Sequence, residues 1–415
     1  MTISLVLERP SLTSWLRGVP PHDRRVVQFR GIKFGEFTER YAKFTLVESY
    51  PVETDSTSHG HASFCLFSRI PENERKRAAA GLTQNELECL SPVIPAPNST
   101  LNPPDSEEVL PMISGGVPLL DIANFVKKSM DIGTPIPLEQ RWVQKHIHGF
   151  RSDPKMVTIG GNSAGSFSTE AHLNVVPESD TKGLFNRAIM QSRTMLSRRL
   201  RRMGFFTRGW GEVGAGAPEW CDALLIGDAE FNIPRRNRRS PLSAYQIQTG
   251  TPPSPVPAVT KHDSTLQFLL DLLVSFPNHR IPTTWRRKNK QVYEYIRPAQ
   301  PMGPQNWRAH HAAEMLSLLG IYTFSEETHE AMRKAAMQEH FISFIRGDVL
   351  FEAAEGEAMK YRPVGKVAVG WNKDSRNVSA WKVTEGLGRD VLVKTFDIVG
   401  GCIEHYYFSH DQPLK

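Results

Sequence analysis

One serine in this chain stands where a nucleophile could be raised. Met156-Val157-Thr158-Ile159 is a short apolar, β-branched run, and Gly160-Gly161-Asn162-Ser163-Ala164-Gly165 follows it at once. From Ser166 the apolar positions Phe167, Ala171 and Leu173 fall at helical spacing. A serine in a small-residue turn between strand and helix projects its hydroxyl above the sheet. The start of the following helix then offers free N–H groups and a positive dipole end to a developing oxyanion. The chemistry this arrangement suits is acyl transfer through a covalent serine intermediate. A Gly-x-Ser-x-Gly string alone is a weak signal, so its weight rests on the strand before it and the helix after it. Neither GxxxxGK[ST] nor GxGxxG spacing is present here, which sets aside a phosphate cradle.

A serine hydroxyl needs a base, and the chain has 14 histidines to supply one. His59 with His61, and His146 with His148, have the close spacing of metal ligands, but no carboxylates or cysteines stand at matching spacing, so no metal is expected. The cysteines Cys65, Cys89, Cys221 and Cys402 form no CxxC pair, which excludes a zinc ribbon or a thioredoxin-type motif.

The elements that must position Ser163 can be read on either side of it. Gln140 to Phe150 places Trp142, Val143, Ile147 and Phe150 three to four residues apart, an amphipathic helix that Arg151-Ser152-Asp153-Pro154 ends. Arg187–Ser192 and Ala223–Asp228 read as strands ending in polar residues. Strands alternating with helical patterns predict a mostly parallel sheet flanked by helices, an α/β fold whose chemistry lies beyond the strand ends. At 415 residues, with 40% hydrophobic and 23% charged residues, the chain suits one large α/β domain over residues 1–415. Residues 240–262 are expected to form a Pro-rich loop or linker within it.

The net charge of +6 is concentrated in three basic clusters, Arg198–Arg202, Arg235–Arg239 and Arg286-Arg287-Lys288. They lack the regular aromatic interleaving of a single-strand stacking platform, so they read as solvated loop surface and no nucleic-acid partner is expected. The N-terminus has no basic start followed by an apolar run, and no stretch reaches the length of a membrane span. The expected location is cytoplasmic, or secreted if the true N-terminus differs.

The block from Leu138 to Ser192 resembles the type-B carboxylesterases, the family that includes cholinesterases and many fungal esterases and lipases. The resemblance is carried by Glu139-Gln140, Trp142-Val143, Ile147, Phe150, Asp153-Pro154, Val157-Thr158-Ile159, Gly161-Asn162-Ser163-Ala164-Gly165, Gly183-Leu184-Phe185-Asn186-Arg187-Ala188-Ile189 and Gln191-Ser192. More weakly, Arg30-Gly31-Ile32-Lys33-Phe34-Gly35 resembles the family's opening strand region, and Glu86-Leu87-Glu88-Cys89-Leu90 its Ser-Glu-Asp-Cys-Leu motif. The resemblance implies an α/β-hydrolase fold and a cofactor-free serine hydrolase acting on small-molecule carboxylic esters. It also implies a Cys65–Cys89 disulfide, where the absent signal peptide implies two thiols.

It implies roles as well. His311-Ala312-Ala313-Glu314 resembles the segment in which the catalytic histidine precedes an acidic residue by three, which makes His311 the expected base and His310 its rival. The strand Leu224–Asp228 resembles the one leading to the catalytic glutamate, but Asn232 stands at the glutamate's position. Asparagine cannot stabilise an imidazolium, so the acid is expected to be Glu230, with Asp228 its alternative. Leu110–Gly116 resembles the His-Gly-Gly turn with Ser114 in the histidine's place, which implies Gly115, Gly116 and Ala164 as oxyanion donors. The family's strand ending in Asn-Tyr-Arg has no counterpart before Gln140, which predicts a gap or open edge in the sheet. These departures carry a second reading, a catalytically impaired binding or scaffold protein, or a truncated gene model.

Overall fold

A computed structural model describes residues 5–9, 14–19, 25–39, 42–61, 85, 87–97, 114–115, 140–150, 153–162, 164–174, 184–191, 217–229, 276–297, 313–319, 329–351, 357–362 and 365–370. The expected Pro-rich segment 240–262 lies outside them.

Eight short strands come first: β1 (Leu5–Arg9), β2 (Ser14–Gly18), β3 (Val26–Arg30), β4 (Gly35–Glu36), β5 (Thr45–Leu46), β6 (Glu53–Asp55), β7 (Pro92–Pro97) and β8 (Ser114–Gly115). They form small sheets of order β1-β2-β6, β3-β7-β8 and β4-β5. β2 alternates buried Ser14, Leu16 and Gly18 with exposed Trp15 and Arg17, the pattern of a strand with one solvated face.

The larger sheet comprises β9 (Thr158–Asn162), β10 (Arg187–Gln191), β11 (Ala223–Ala229), β12 (Gln291–Arg297), β13 (Glu357–Arg362) and β14 (Gly365–Gly370). Their spatial order follows the chain, with β9 to β13 parallel and β14 closing an antiparallel hairpin on β13. Among the described residues β9 has β10 as its one strand neighbour, and β7-β8 pair in a separate sheet. Residues 116–139, where the family's additional strand would fall, are outside the described set.

Helices cover both faces: α1 (Gln140–His146), continued by a 3-10 turn at Ile147–Phe150, then α2 (Ala164–Asn174), α3 (Phe276–Arg287), α4 (Ala313–Leu318) and α5 (His329–Arg346). Two apolar layers result. The first unites Trp142, Val143, Leu173, Ile281 and Trp285 from α1, α2 and α3 with Ile159, Ala188, Met190, Leu224 and Ile226 of the sheet. It also takes in Leu16, Val27, Phe29 and Ile94, so the small N-terminal sheets share this core. The second layer packs Leu318, Met337, Phe341 and Ile345 of α4 and α5 against Ile189, Leu225, Tyr293 and Tyr295. Alternate residues of one strand divide between the layers because side chains alternate across a pleated sheet.

The helix expected over Gln140–Phe150 is present, with Trp142, Val143 and Ile147 fully buried. Trp142 Nε1 donates to the Tyr50 hydroxyl at 2.8 Å, and that hydroxyl donates to the Lys33 carbonyl at 2.7 Å, which fixes α1 to the N-terminal segment. Burial pushes the Tyr50 phenol up to about 12, so this link stays protonated across the physiological range.

Two readings from the sequence shift. The strand expected at Met156–Ile159 is observed at Thr158–Asn162, and the helix expected from Ser166 begins at Ala164. The glycines lie inside the ladder, Gly160 opposite Ile189 and Gly161 opposite Met190. Glycine is a poor strand former in isolation, but here the ladder to β10 supplies the hydrogen bonds, and a Cβ at Gly160 would come within 3.3 Å of Ile189 Cβ. The strand thus ends at Asn162 and the helix begins at Ala164.

Arg286, expected on solvated loop surface, is instead a helix residue. Its Nη1 lies 2.6 Å from Oε1 of Glu294, whose side chain is 2% exposed. Glu294 shares the first face of β12 with Val292 and Ile296, against which α3 packs, and the guanidinium is what allows a carboxylate there. The other two arginine clusters lie outside the described residues.

Candidate active site

The site builds from the end of β9. Gly161 and Gly165 flank the turn, and their backbones approach too closely for a side chain on the first. A Cβ at Gly161 would fall within contact of the Gly165 carbonyl group and 2.6 Å from Ser166 N. A Cβ at Gly165 would meet nothing within 4 Å. Only the first glycine is therefore demanded by sterics, to let the helix start directly over the strand end.

α2 opens with no acidic residue in its first turn, so its N-terminal dipole is not neutralised from within the helix. Thr169 Oγ1 donates to the Gly165 carbonyl at 3.0 Å, bracing the first turn. Ser166 is fully buried beneath it.

Parallel pairing aligns three strand ends: Asn162 lies opposite Gln191, and Gln191 opposite Gly227. Gly227 in turn lies opposite Tyr295, which belongs to the second layer. Paired residues of adjacent parallel strands share a face, so Asn162 and Gln191 also face α4 and α5. Gly227 is required there because the Tyr295 ring occupies the space of a Cβ.

One hydrogen bond crosses from this strand end to α4. Asn162 Nδ2 donates to Glu314 Oε1 at 3.0 Å, and Glu314 is 0% exposed. Asn162 immediately precedes Ser163 in the chain, and Glu314 follows His311 by three residues. The bond therefore ties the segment carrying the expected nucleophile to the segment carrying the expected base. Glu314 appeared in the sequence only as part of a resemblance, and Asn162 only as a turn residue; their pairing across 152 positions has no local signal.

Ser163, His310, His311, Glu230, Asn232 and Gly116 lie outside the described residues, as does Cys65. Ala164 is the first residue of α2, where an oxyanion donor is expected. Gly115 lies in β8, paired with Pro92 of β7. Asp228 continues β11 opposite Ile296 of β12, so its backbone is part of the ladder. Cys89 is half-buried near the N-terminal strands. Among the described residues, no group of three or more His, Cys, Asp or Glu side chains is placed to hold a metal ion, and no helix is long and apolar enough to cross a membrane.

Two solved PNB esterase structures share this architecture. One superposes with a TM-score of 0.61 at 17% identity, over 89% of this chain and 98% of that one. The other, a thermophilic PNB esterase, gives 0.57 at 15% identity with the same coverage. The fold is thus an α/β-hydrolase. By sequence, the carboxylesterase family matches residues 140–206, the segment holding α1, β9, α2 and β10. Esterase E4 of Myzus persicae is 54% identical over 52 residues, 12% of this chain and 9% of that protein. Acetylcholinesterase of Danio rerio is 49% identical over 55 residues, 13% of this chain and 8% of that protein. The juvenile hormone esterase of Heliothis virescens is 46% identical over 57 residues, 14% and 10% of the two chains. The alignable sequence thus spans about a tenth of these relatives' length. Over residues 140–206 the chain is thus similar to the carboxylesterase family, and its fold is that of the esterases above.

Proposed function

We propose that this protein hydrolyses carboxylic esters of small molecules through Ser163. The hydroxyl attacks the ester carbonyl while His311 takes its proton, and N–H groups of Gly115, Gly116 and Ala164 hold the oxyanion. The imidazolium then protonates the leaving alcohol, and water releases the acyl group by the same steps in reverse. Glu230 is the carboxylate we assign to orient the base, with Asp228 as its alternative. No cofactor takes part in this scheme.

The observation that carries the reading is the Asn162–Glu314 hydrogen bond, which draws the chain next to Ser163 and the chain next to His311 to one place. The glycine-dependent approach of β9 and α2 supports it by leaving a single residue at the bend.

A fluorophosphonate probe on the purified protein is expected to label Ser163, and Ser163→Ala should abolish both labelling and p-nitrophenyl acetate hydrolysis. Labelling without turnover would favour the impaired-homologue reading, for which Asn232 at the acid's position is the specific ground. Asn232→Glu should then raise the rate. Folded protein that does not label refutes the proposal.

A further inference from the structure

One face of the small sheet β1-β2-β6 carries a side-chain pair that packing does not explain. In β2 the residues Ser14, Leu16 and Gly18 are buried, while Trp15, 41% exposed, and Arg17 face outward. β6 runs parallel to β2, with Trp15 opposite Glu53 and Arg17 opposite Asp55. Register partners on adjacent strands share a face and lie about 5 Å apart. The reverse side agrees, since the Ser14 and Thr54 hydroxyls meet there at 3.0 Å. Glu53 and Asp55 are both exposed, so the outward face presents Trp15, Arg17 and two carboxylates. The backbone N–H of Trp15 donates to the Val52 carbonyl at 2.7 Å, which fixes this register.

The two rows differ in charge balance. Asp55 Oδ1 accepts the Thr57 N–H at 3.0 Å and the Thr57 hydroxyl at 2.7 Å. Those bonds, with the charge of Arg17, hold its carboxyl below the usual range. In the other row, among the described residues, no cation pairs with Glu53, and neither a ring nor a cation stacks on Trp15. A lone exposed tryptophan is ordinary. A tryptophan level with an uncompensated carboxylate has a chemical preference, because the ring face and the carboxylate attract the same cation. A lipid surface would have to take Glu53 out of water, which disfavours an apolar occupant.

We propose that the outward face of β2 and β6 docks a basic segment of a partner protein, with an arginine side chain stacked on Trp15 and its charge on Glu53. A planar guanidinium suits both contacts, since it stacks on a ring and forks to a carboxylate. Arg17 repels a second cation from the Asp55 row, so one arginine is the anchor. This docking surface is independent of the reading of Ser163.

Fluorescein-labelled hexa-arginine, titrated with the full chain and followed by fluorescence anisotropy at low salt, is the test. Binding should saturate, weaken as salt is raised, and exceed that of hexa-lysine. Trp15→Ala and Glu53→Gln should each raise Kd by about threefold or more, and Trp15→Phe should keep most of the affinity. Glu39→Gln removes an exposed carboxylate beyond β4 and should leave Kd within about 1.5-fold of wild type, as a charge outside the patch. If Trp15→Ala does not fold, Glu53→Gln decides, since it changes one exposed charge. A wild type that does not bind, an unchanged Kd in Glu53→Gln, or an equal loss in Glu39→Gln overturns the proposal. Sedimentation of the wild type alone tests the remaining occupant: self-association that Glu53→Gln abolishes would assign the face to a second copy of this chain and overturn the partner assignment.

Discussion

A single methyl group added at Gly161 should do what no other substitution of that size near the bend can do. In Gly161→Ala the new Cβ would lie inside contact distance of the Gly165 carbonyl carbon and oxygen, and 2.6 Å from the amide nitrogen of Ser166. These are backbone atoms, so no side-chain rotation relieves the clash. The start of α2 must retreat from β9 by about 1 Å, or the bend must open. Overpacking of this kind costs about 1–3 kcal/mol, and a backbone obstacle belongs at the upper end. A displacement of about 1 Å at a reacting group can cost about a hundredfold in rate. Gly165→Ala is the matched control: its Cβ meets nothing within 4 Å, and it lies within the first turn of α2. There the substitution should be neutral or should stabilise by up to about 1 kcal/mol, since alanine is the better helix former. Thermal melting and the second-order rate of fluorophosphonate labelling read both effects. Gly161→Ala should melt several degrees lower and label slowly, while Gly165→Ala should match or exceed the wild type in melting. Equal melting and equal labelling of the two variants would refute the account of the bend.

Three further outcomes follow from single contacts. Arg286→Met should destabilise by about 3 kcal/mol or more in chemical denaturation, because it leaves the buried Glu294 carboxylate without its guanidinium; Arg286→Met with Glu294→Leu should recover much of the loss. Tyr361→Phe removes the hydroxyl that lies 2.9 Å from Nδ1 of the buried His340, and should cost about 1–3 kcal/mol with the fold unchanged by circular dichroism. His172, near the end of α2, keeps an exposed edge, and partial desolvation by its neighbours lowers its imidazole pKa from the ordinary value of 6.5. The unfolded chain therefore binds the proton more readily than the folded one, so stability is full above about pH 6.5 and falls as the pH drops below it. Melting temperatures measured between pH 7.5 and 5 should decline less steeply in His172→Gln than in the wild type.

Much of the bend was legible before any coordinates. A β-branched run, a glycine turn and a helical spacing define strand, bend and helix through local backbone preference, and Trp142, Val143 and Ile147 mark the buried side of α1 by periodicity alone. The strand boundary was less legible, because Gly160 and Gly161 read as turn until pairing with Ile189 and Met190 gives their backbone a ladder. Arg286 read as surface because an arginine-rich string carries no mark of what lies across the helix. Its partner Glu294 alternates with Tyr293 and Tyr295, which fits a strand with Glu294 on a solvated face equally well.

What the sequence by itself determined is the local device: a strand, a glycine-rich stretch and a helix in succession, in a segment that resembles the carboxylesterase family. Those are properties of short-range sterics, fixed within about a dozen residues. Tertiary structure decided that Asn162 meets Glu314, that Gln191 and Gly227 lie level with it, and that a buried carboxylate sits beside the bend. Residues 152 positions apart become neighbours only when the sheet's register and the packing of α4 are set. Both depend on the whole apolar core closing at once, which no local pattern encodes.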